Sequence, residues 1–323
     1  MKVVIAPDKL RGTYTADEAA AALARGWRAV RPGDDLVELP LADGGEGTAA
    51  AILGARGGEW REAHVHDALG RPCTARFARL IDGSAALDVA EACGAGRVSD
   101  RPRDPIGASS RGAGELIRAA IEDGALRVVI GVGGTASTDG GVGLRDGLGA
   151  VPGDVELVAA LDVQNPLVGP SGAAVVFGPQ KGASAAQVAE LDERLRSLHL
   201  PTAERPGAGA GGGIGGMLMQ LGARSVSGAA LVTEEVGLVH ALRDADLCVT
   251  AEGRIDRQTL SGKIVGHVAD LCRASGVQCI AVGGIVEPAA AEELERRGCE
   301  THKQGDMERA GRELASRSSS PPS

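Results

Sequence analysis

Residues able to do chemistry gather where apolar runs stop. Residues 128 to 144 read VVIGVGGTASTDGGVGL: an apolar run, then glycines, three hydroxyl side chains and one carboxylate. A mobile surface loop is the plain reading. A cradle for an anion, phosphate foremost, is the sharper one. Glycine lets backbone N–H groups come close to a ligand, and Thr135, Ser137 and Thr138 add hydroxyl donors around Gly133 and Gly134. Asp139 reads either as a metal ligand or as a helix N-cap. Similar endings recur. Ile5-Ala-Pro-Asp-Lys carries Asp8 and Lys9, and Leu41-Ala-Asp-Gly-Gly-Glu carries Asp43 and Glu46. Thr250-Ala-Glu-Gly-Arg-Ile-Asp carries Glu252, Arg254 and Asp256. Any one of these is a turn or a cap; four charged endings from distant parts of a chain suggest one shared site. Asp162-Val-Gln-Asn165 ends another apolar run, Lys181 stands between glycines in Phe177-Gly-Pro-Gln-Lys-Gly, and PGAGAGGGIGGML (206–218) leads toward a helix whose N-terminus would face an anion.

The elements that must position these residues alternate. Short apolar runs at 3–6, 36–39, 128–131, 247–250 and 279–282 read as buried parallel strands. Thr15-Ala-Asp-Glu18 and Ser184-Ala-Ala-Gln187 are capping boxes that open helices. Ligands of open parallel sheets bind beyond the carboxyl ends of the strands, which is where the charged residues fall. Residues 60–90 read instead as three antiparallel strands, with turns at 69–72 and 82–83. Cys299 to the end reads as polar and weakly helical. The expected fold class is α/β, with two domains. One is a flavodoxin-like parallel sheet with helices on both faces, formed by 1–59, 105–150 and 240–316. The other is an inserted mixed-sheet α/β domain, formed by 60–104 and 151–239. The tail, 317–323 (RSSSPPS), is expected to be disordered.

Bulk composition narrows the function classes. A net charge of -9 and 2% aromatic residues leave neither a basic face for nucleic acid nor stacking platforms for bases. No apolar run approaches the length of a membrane span, and the N-terminal run is too short for a signal peptide. Six scattered cysteines without CxxC spacing read as buried thiols in a reducing, cytoplasmic setting. The Walker string GxxxxGK[ST] and the GxSxG elbow are absent. Gly207-x-Gly209-x-x-Gly212 matches a dinucleotide-binding string without a preceding strand, so it is weak support for an NAD(P)-dependent dehydrogenase of a small hydroxy acid. A non-catalytic small-acid sensor is the other alternative.

Eight separated segments agree, in order, with one family. IAPDK, PLADGGEGT, SSRGAGELI, GVGGTASTDGG, DVQNPLVG, FGPQKGAS, PGAGAGGGIGGML and TAEGRIDRQTLSGK resemble the bacterial glycerate kinases of type 1, over about residues 1 to 285. The resemblance implies ATP-dependent phosphorylation of D-glycerate with Mg2+, in most members to 2-phosphoglycerate. It also implies two α/β domains with a cleft between them, the second resembling restriction endonucleases. The small-molecule partner would be D-glycerate, and the chain a monomer or homodimer. Within that frame Gly133, Gly134, Thr135, Ser137, Thr138, Gly209, Gly211 and Gly212 are candidates for the nucleotide. Lys181 and Arg254 are candidates for stabilising transferred charge, and Asp162 and Asp256 for the metal. Asp43 is the first choice of base and Asp8 the second. Lys9, Arg111, Glu46 and Asn165 are candidates for the substrate.

Overall fold

The computed structural model describes residues 1–10, 12–260 and 263–318. Its strands, in chain order, are β1 (Lys2–Ile5), β2 (Asp35–Glu38), β3 (Gly58–His66), β4 (Pro72–Leu80), β5 (Ala85–Asp88), β6 (Arg127–Val132), β7 (Glu156–Leu161), β8 (Arg224–Ser227), β9 (Leu247–Ile255), β10 (Gln278–Val286) and β11 (Cys299–Lys303). They form two sheets in two units, Met1–Asp43 with Ala229–Ser323, and Gly44–Gly228.

The first unit holds a five-stranded sheet in the order β11-β10-β9-β1-β2, parallel throughout. Counted within the unit this is 2-1-3-4-5, the flavodoxin-like order, with its switch point between β1 and β9. The helix Ala16–Val30 starts at Thr15, whose side chain and Glu18 close the expected capping box. Its face buries Leu23 and Trp27, while Val30 stays exposed. The C-terminal part corrects the sequence reading. It contains both β11 and a helix, Met307–Arg317, capped by Asp306. That helix buries Met307, Ala310, Gly311, Leu314 and Ala315, a stripe of mostly small residues that gives a weak apolar signal. The small residues let it lie close against Ala16–Val30: a Cβ on Gly311 would stand 2.2 Å from the Leu23 carbonyl oxygen, and one on Gly26 1.9 Å from that of Glu308.

The second unit is one mixed sheet, β3-β4-β5-β6-β7-β8. β3, β4 and β5 form the expected antiparallel meander, and β5 through β8 run parallel. Residues 44–59 and 105–150, assigned to the first domain by the sequence reading, belong here. The reason is β5, which pairs with β4 on one edge and with β6 on the other. A buried parallel run such as Val128–Gly131 carries no mark of which sheet it joins. The insertion is therefore continuous, and its two ends meet: a Cβ on Gly44 would stand 2.7 Å from the Cα of Gly228. Ser319 to Ser323 of the expected disordered tail lie outside the described residues. No helix among the described residues is long and apolar enough to cross a membrane. All six cysteines are free and five are buried, as their apolar neighbours suggested.

Gly311→Val should cost about 1–3 kcal/mol by overpacking against the Leu23 carbonyl. The expected observation is a lower urea midpoint with an unchanged denaturant slope.

Candidate active site

In the second unit the glycine-rich loop after β6 is anchored. Asp139 accepts from the amide and hydroxyl of Ser110, both at 2.8 Å, and from the amides of Gly141 at 3.1 Å and Gly143 at 3.2 Å. The latter two amides open the helix Val142–Leu148, so Asp139 acts as a helix-start acceptor. Ala95 donates to the Gly134 carbonyl, Ala136 to that of Cys93 and Gly140 to that of Gly212. Thr135, Ser137 and Thr138 are all buried. The hydroxyls of Ser137 and Thr138 have no hydrogen-bond partner among the described residues. Leaving a buried hydroxyl unpaired costs about 1–3 kcal/mol, so two in one loop point to a ligand.

Lys181 reaches this loop. Its Nζ donates to Thr135 Oγ1 at 3.1 Å and to the Ser137 carbonyl. Burial pushes its pKa down to about 8. Gly212 lies directly against it, since a Cβ there would stand 3.0 Å from Lys181 Nζ and 2.1 Å from the Ser137 oxygen. The glycines at 206–218 do lead into a helix, as expected. Ile214–Gln220 is a seven-residue helix, and the amides of Gly209 and Gly212 donate to the carbonyls of Asn165 and Gly209. Of the three candidate glycines here, Gly212 lies against Lys181 and Ser137, whereas Gly209 packs on the Pro166 carbonyl and Gly211 on Val132.

The loop Gly44–Thr48 is fixed by Asp88, which accepts from the amides of Gly47 at 2.8 Å and Ala49 at 3.1 Å. It brings Glu46 onto the glycine loop, with Oε1 2.4 Å from where a Gly134 Cβ would be. Asp162, just past β7, has Oδ2 3.9 Å from the corresponding point at Gly133. Asn165 is scaffolding: its Nδ2 donates to the Ser171 carbonyl and its own carbonyl takes the Gly209 amide. Arg111 donates to Glu115, a buried carboxylate that also takes the His66 amide, and remains 57% exposed.

In the first unit three carboxylates meet: Asp8 beyond the carboxyl end of β1, Asp43 beyond that of β2, and Glu252 on β9 itself. Asp8 donates its amide to the Ala251 carbonyl and Leu41 donates to that of Pro7, which sets Asp8 and Asp43 beside β9. Asp8, Asp43 and Glu252 are each 7% exposed. Burial first, and then the Asp43 charge, push Asp8 up to about 7, against the pull of Lys9. Burial also pushes Glu252 up to about 7, against the Thr259 hydroxyl and Lys263. The sequence reading ended the strand at Thr250. β9 continues to Ile255, with Glu252 opposite Gly283 and Arg254 opposite Ile285 of β10. Arg254 lies 2.6 Å from Glu287 and 3.5 Å from Asp256, so its charge is matched within its own unit. Asp256 accepts the Gln258 amide as a turn residue. It does not share a unit with Asp162, the other candidate metal ligand, and no group of three or more His, Cys, Asp or Glu among the described residues is arranged to hold a metal ion. Thr259, Ser110 and Asp88 were given no role from sequence, and Glu252 only a place among the charged strand endings. Their signal is burial, which the strand boundary at β9 and the pairing of β5 decide.

The Glycerate kinase family matches residues 3–154 and 151–307. The chain belongs to the glycerate kinase family. As a family member it is a phosphotransferase. Glycerate 2-kinase of Escherichia coli K12 is 39% identical over 88% of this chain and 85% of its own length. Glycerate kinase of Bacillus subtilis 168 is 38% identical, with the same shares covered. A crystal structure described as glycerate kinase 2 from Salmonella typhimurium LT2 superimposes with a TM-score of 0.80 at 32% identity, over 98% of both chains.

Asp8 and Glu252 have folded-state pKa values above their ordinary 3.8 and 4.5. The folded protein therefore holds more protons than the unfolded chain between about pH 4 and pH 7, and stability falls as pH rises through that window. Asp8→Asn and Glu252→Gln should each raise the melting temperature at about pH 8 and leave it nearly unchanged at about pH 4. Thermal unfolding of the variants at the two pH values checks this.

Proposed function

We propose that this kinase phosphorylates D-glycerate with ATP, giving 2-phosphoglycerate, in the cytoplasm and as a monomer or homodimer. The observation that carries the reading is the Lys181 ammonium held against Thr135, beside two buried hydroxyls, Ser137 and Thr138, that have no partner among the described residues. That is a fixed set of donors suited to phosphate oxygens. The names of the relatives supply the substrate class, and the name glycerate 2-kinase favours the 2-phosphate.

The roles follow from phosphoryl-transfer chemistry, in which positioning and charge stabilisation do most of the work. The glycerate hydroxyl oxygen attacks the γ-phosphorus, the bond from that phosphorus to the bridging oxygen of ADP breaks, and the hydroxyl proton passes to Asp43. Asp8 and Glu252 set the charge around that base. Lys181, with Gly133, Gly134 and the three hydroxyls, holds the phosphate oxygens as negative charge moves onto them. Lys9, next to Asp8, is the candidate in the first unit for the substrate carboxylate. Magnesium takes oxygen ligands, largely phosphate and water, with one or two carboxylates, so Asp162 and Glu46 at the rim of the glycine loop fit it. It would neutralise phosphate charge there.

Incubation with ATP, Mg2+ and D-glycerate, read by phosphorus NMR, should give the 2-phosphate resonance. Consumption of ATP without a phosphoglycerate product would overturn the reading. Lys181→Met should lower kcat by about 10²–10³-fold. Because Lys181 is charged only below about 8 in the free protein, ATP affinity should weaken as pH rises through that value in the wild type. The same titration should be flat in Lys181→Met.

A further inference from the structure

The longer of the two sheet edges in the second unit is β3, which ends the strand order and is paired on one side only. It matches β4 residue for residue, from Gly58↔Leu80 to His66↔Pro72, so no bulge twists the edge away, and no proline interrupts it. Successive amides of a strand point to opposite edges. The His66 amide leaves the ladder for Glu115 Oε2 at 2.9 Å, which sets the phase: Trp60, Glu62 and His64 turn their backbone outward. Glu59, Arg61, Glu62 and His64 are exposed. A groove of about 520 Å³ runs along this strand. Arg61 and Ala63 line one wall, Arg118, Ala119 and Glu122 of the helix Arg111–Glu122 the other, and Phe77 lines it too.

We propose that β3 pairs antiparallel with β3 of a second copy of this chain, about a two-fold axis at Ala63, giving one continuous sheet across the dimer. An uncovered edge is a template for another strand, and charge selects this occupant and this register. Directly opposed residues lie on one face of a sheet, so a two-fold pairing must centre on a residue. Centred on Glu62, it sets Glu62 against Glu62; centred on Arg61, it sets Arg61 against Arg61. Like charges directly opposite are destabilising. Centred on Trp60 or His64, it engages only five residues of the strand, 58–62 or 62–66. Centred on Ala63, it engages residues 60–66 and sets Glu62 opposite His64 and Trp60 opposite His66, each twice. Glu62 and His64 both turn their backbone outward, so each such pair exchanges two backbone hydrogen bonds. The carboxylate also accepts from the imidazole, whether the ring is neutral or charged. The residue on the axis is alanine, small enough for two copies to meet. Arg118 and Glu122, one helical turn apart and opposite in sign, carry the same self-complementarity along the groove wall. The pairing does not depend on the phosphotransfer reading.

Sedimentation equilibrium on the full chain, over a range of concentrations, should show a reversible monomer–dimer equilibrium. Glu62→Lys puts lysine opposite histidine in both pairs and should raise the dimer dissociation constant about tenfold or more. Adding His64→Glu to Glu62→Lys restores opposite charges and should recover the wild-type constant, which general damage to the strand would not allow. Residue 63 faces itself across the axis in a pair without backbone hydrogen bonds, where Cα atoms stand about 4.5 Å apart, within disulfide reach. Ala63→Cys treated with diamide should therefore run as a covalent dimer on a non-reducing gel, with the wild type and its six free cysteines as the blank. A wild type that sediments as a monomer throughout would overturn the proposal. So would a dimer that Glu62→Lys leaves intact, or an Ala63→Cys protein that does not cross-link. Should Glu62→Lys not fold, the wild-type equilibrium and Ala63→Cys still decide it. A protein that forms the expected dimer yet makes no phosphoglycerate fails the functional reading and leaves this inference standing.

Discussion

One carboxylate decides the shape of the glycine-rich loop after β6. Asp139 draws in the backbone and hydroxyl of Ser110 and the amides of Gly141 and Gly143. The loop must follow, because four donors converge on two oxygens. Without that convergence Thr135, Ser137 and Thr138 would belong to a glycine-rich segment with large conformational freedom. The entropy lost in ordering such a segment is of the order of 1–2 kcal/mol per residue, and the Asp139 bonds meet it during folding instead of at each binding event.

The same economy is visible in the charges. Lys181 is held below its ordinary pKa, and Asp8 and Glu252 above theirs, by burial. All three shifts oppose the charged form and so lower the stability of the folded protein near neutral pH. Such groups are characteristic of sites that work on charged ligands. The surrounding framework compensates with ordinary means: strands buried on both faces, capped helices, and the close crossing at Gly26 and Gly311.

Much of this was legible from residue pattern. Thr15 and Ser184 announce their helices through local hydrogen bonds that need no tertiary context. The strand ends at Asp8, Asp43 and Gly133 follow from apolar runs that stop at Gly, Pro or charge. What was illegible depends on pairing. β6 looks alike in either sheet, and only its contact with β5 places it. β9 runs on through Glu252 because β10 continues beside it, although Glu-Gly-Arg reads as a loop. The glycines at 206–216 resemble a ligand loop in composition, and the close approach of Gly212 to Lys181 and Ser137 could not be read from it. The last helix was underestimated because alanine and glycine form its buried stripe.

The meeting of Gly44 and Gly228 has a consequence for biosynthesis. The chain leaves the first sheet and returns to it at neighbouring points, so the intervening stretch can close its own core as soon as it has emerged from the ribosome. β1 and β2, made first, must wait for β9, β10 and β11. The nascent protein thus carries a finished insert between the β1–β2 pair and its missing partners, and the edge of β1 that β9 will cover is the surface a chaperone would have to guard.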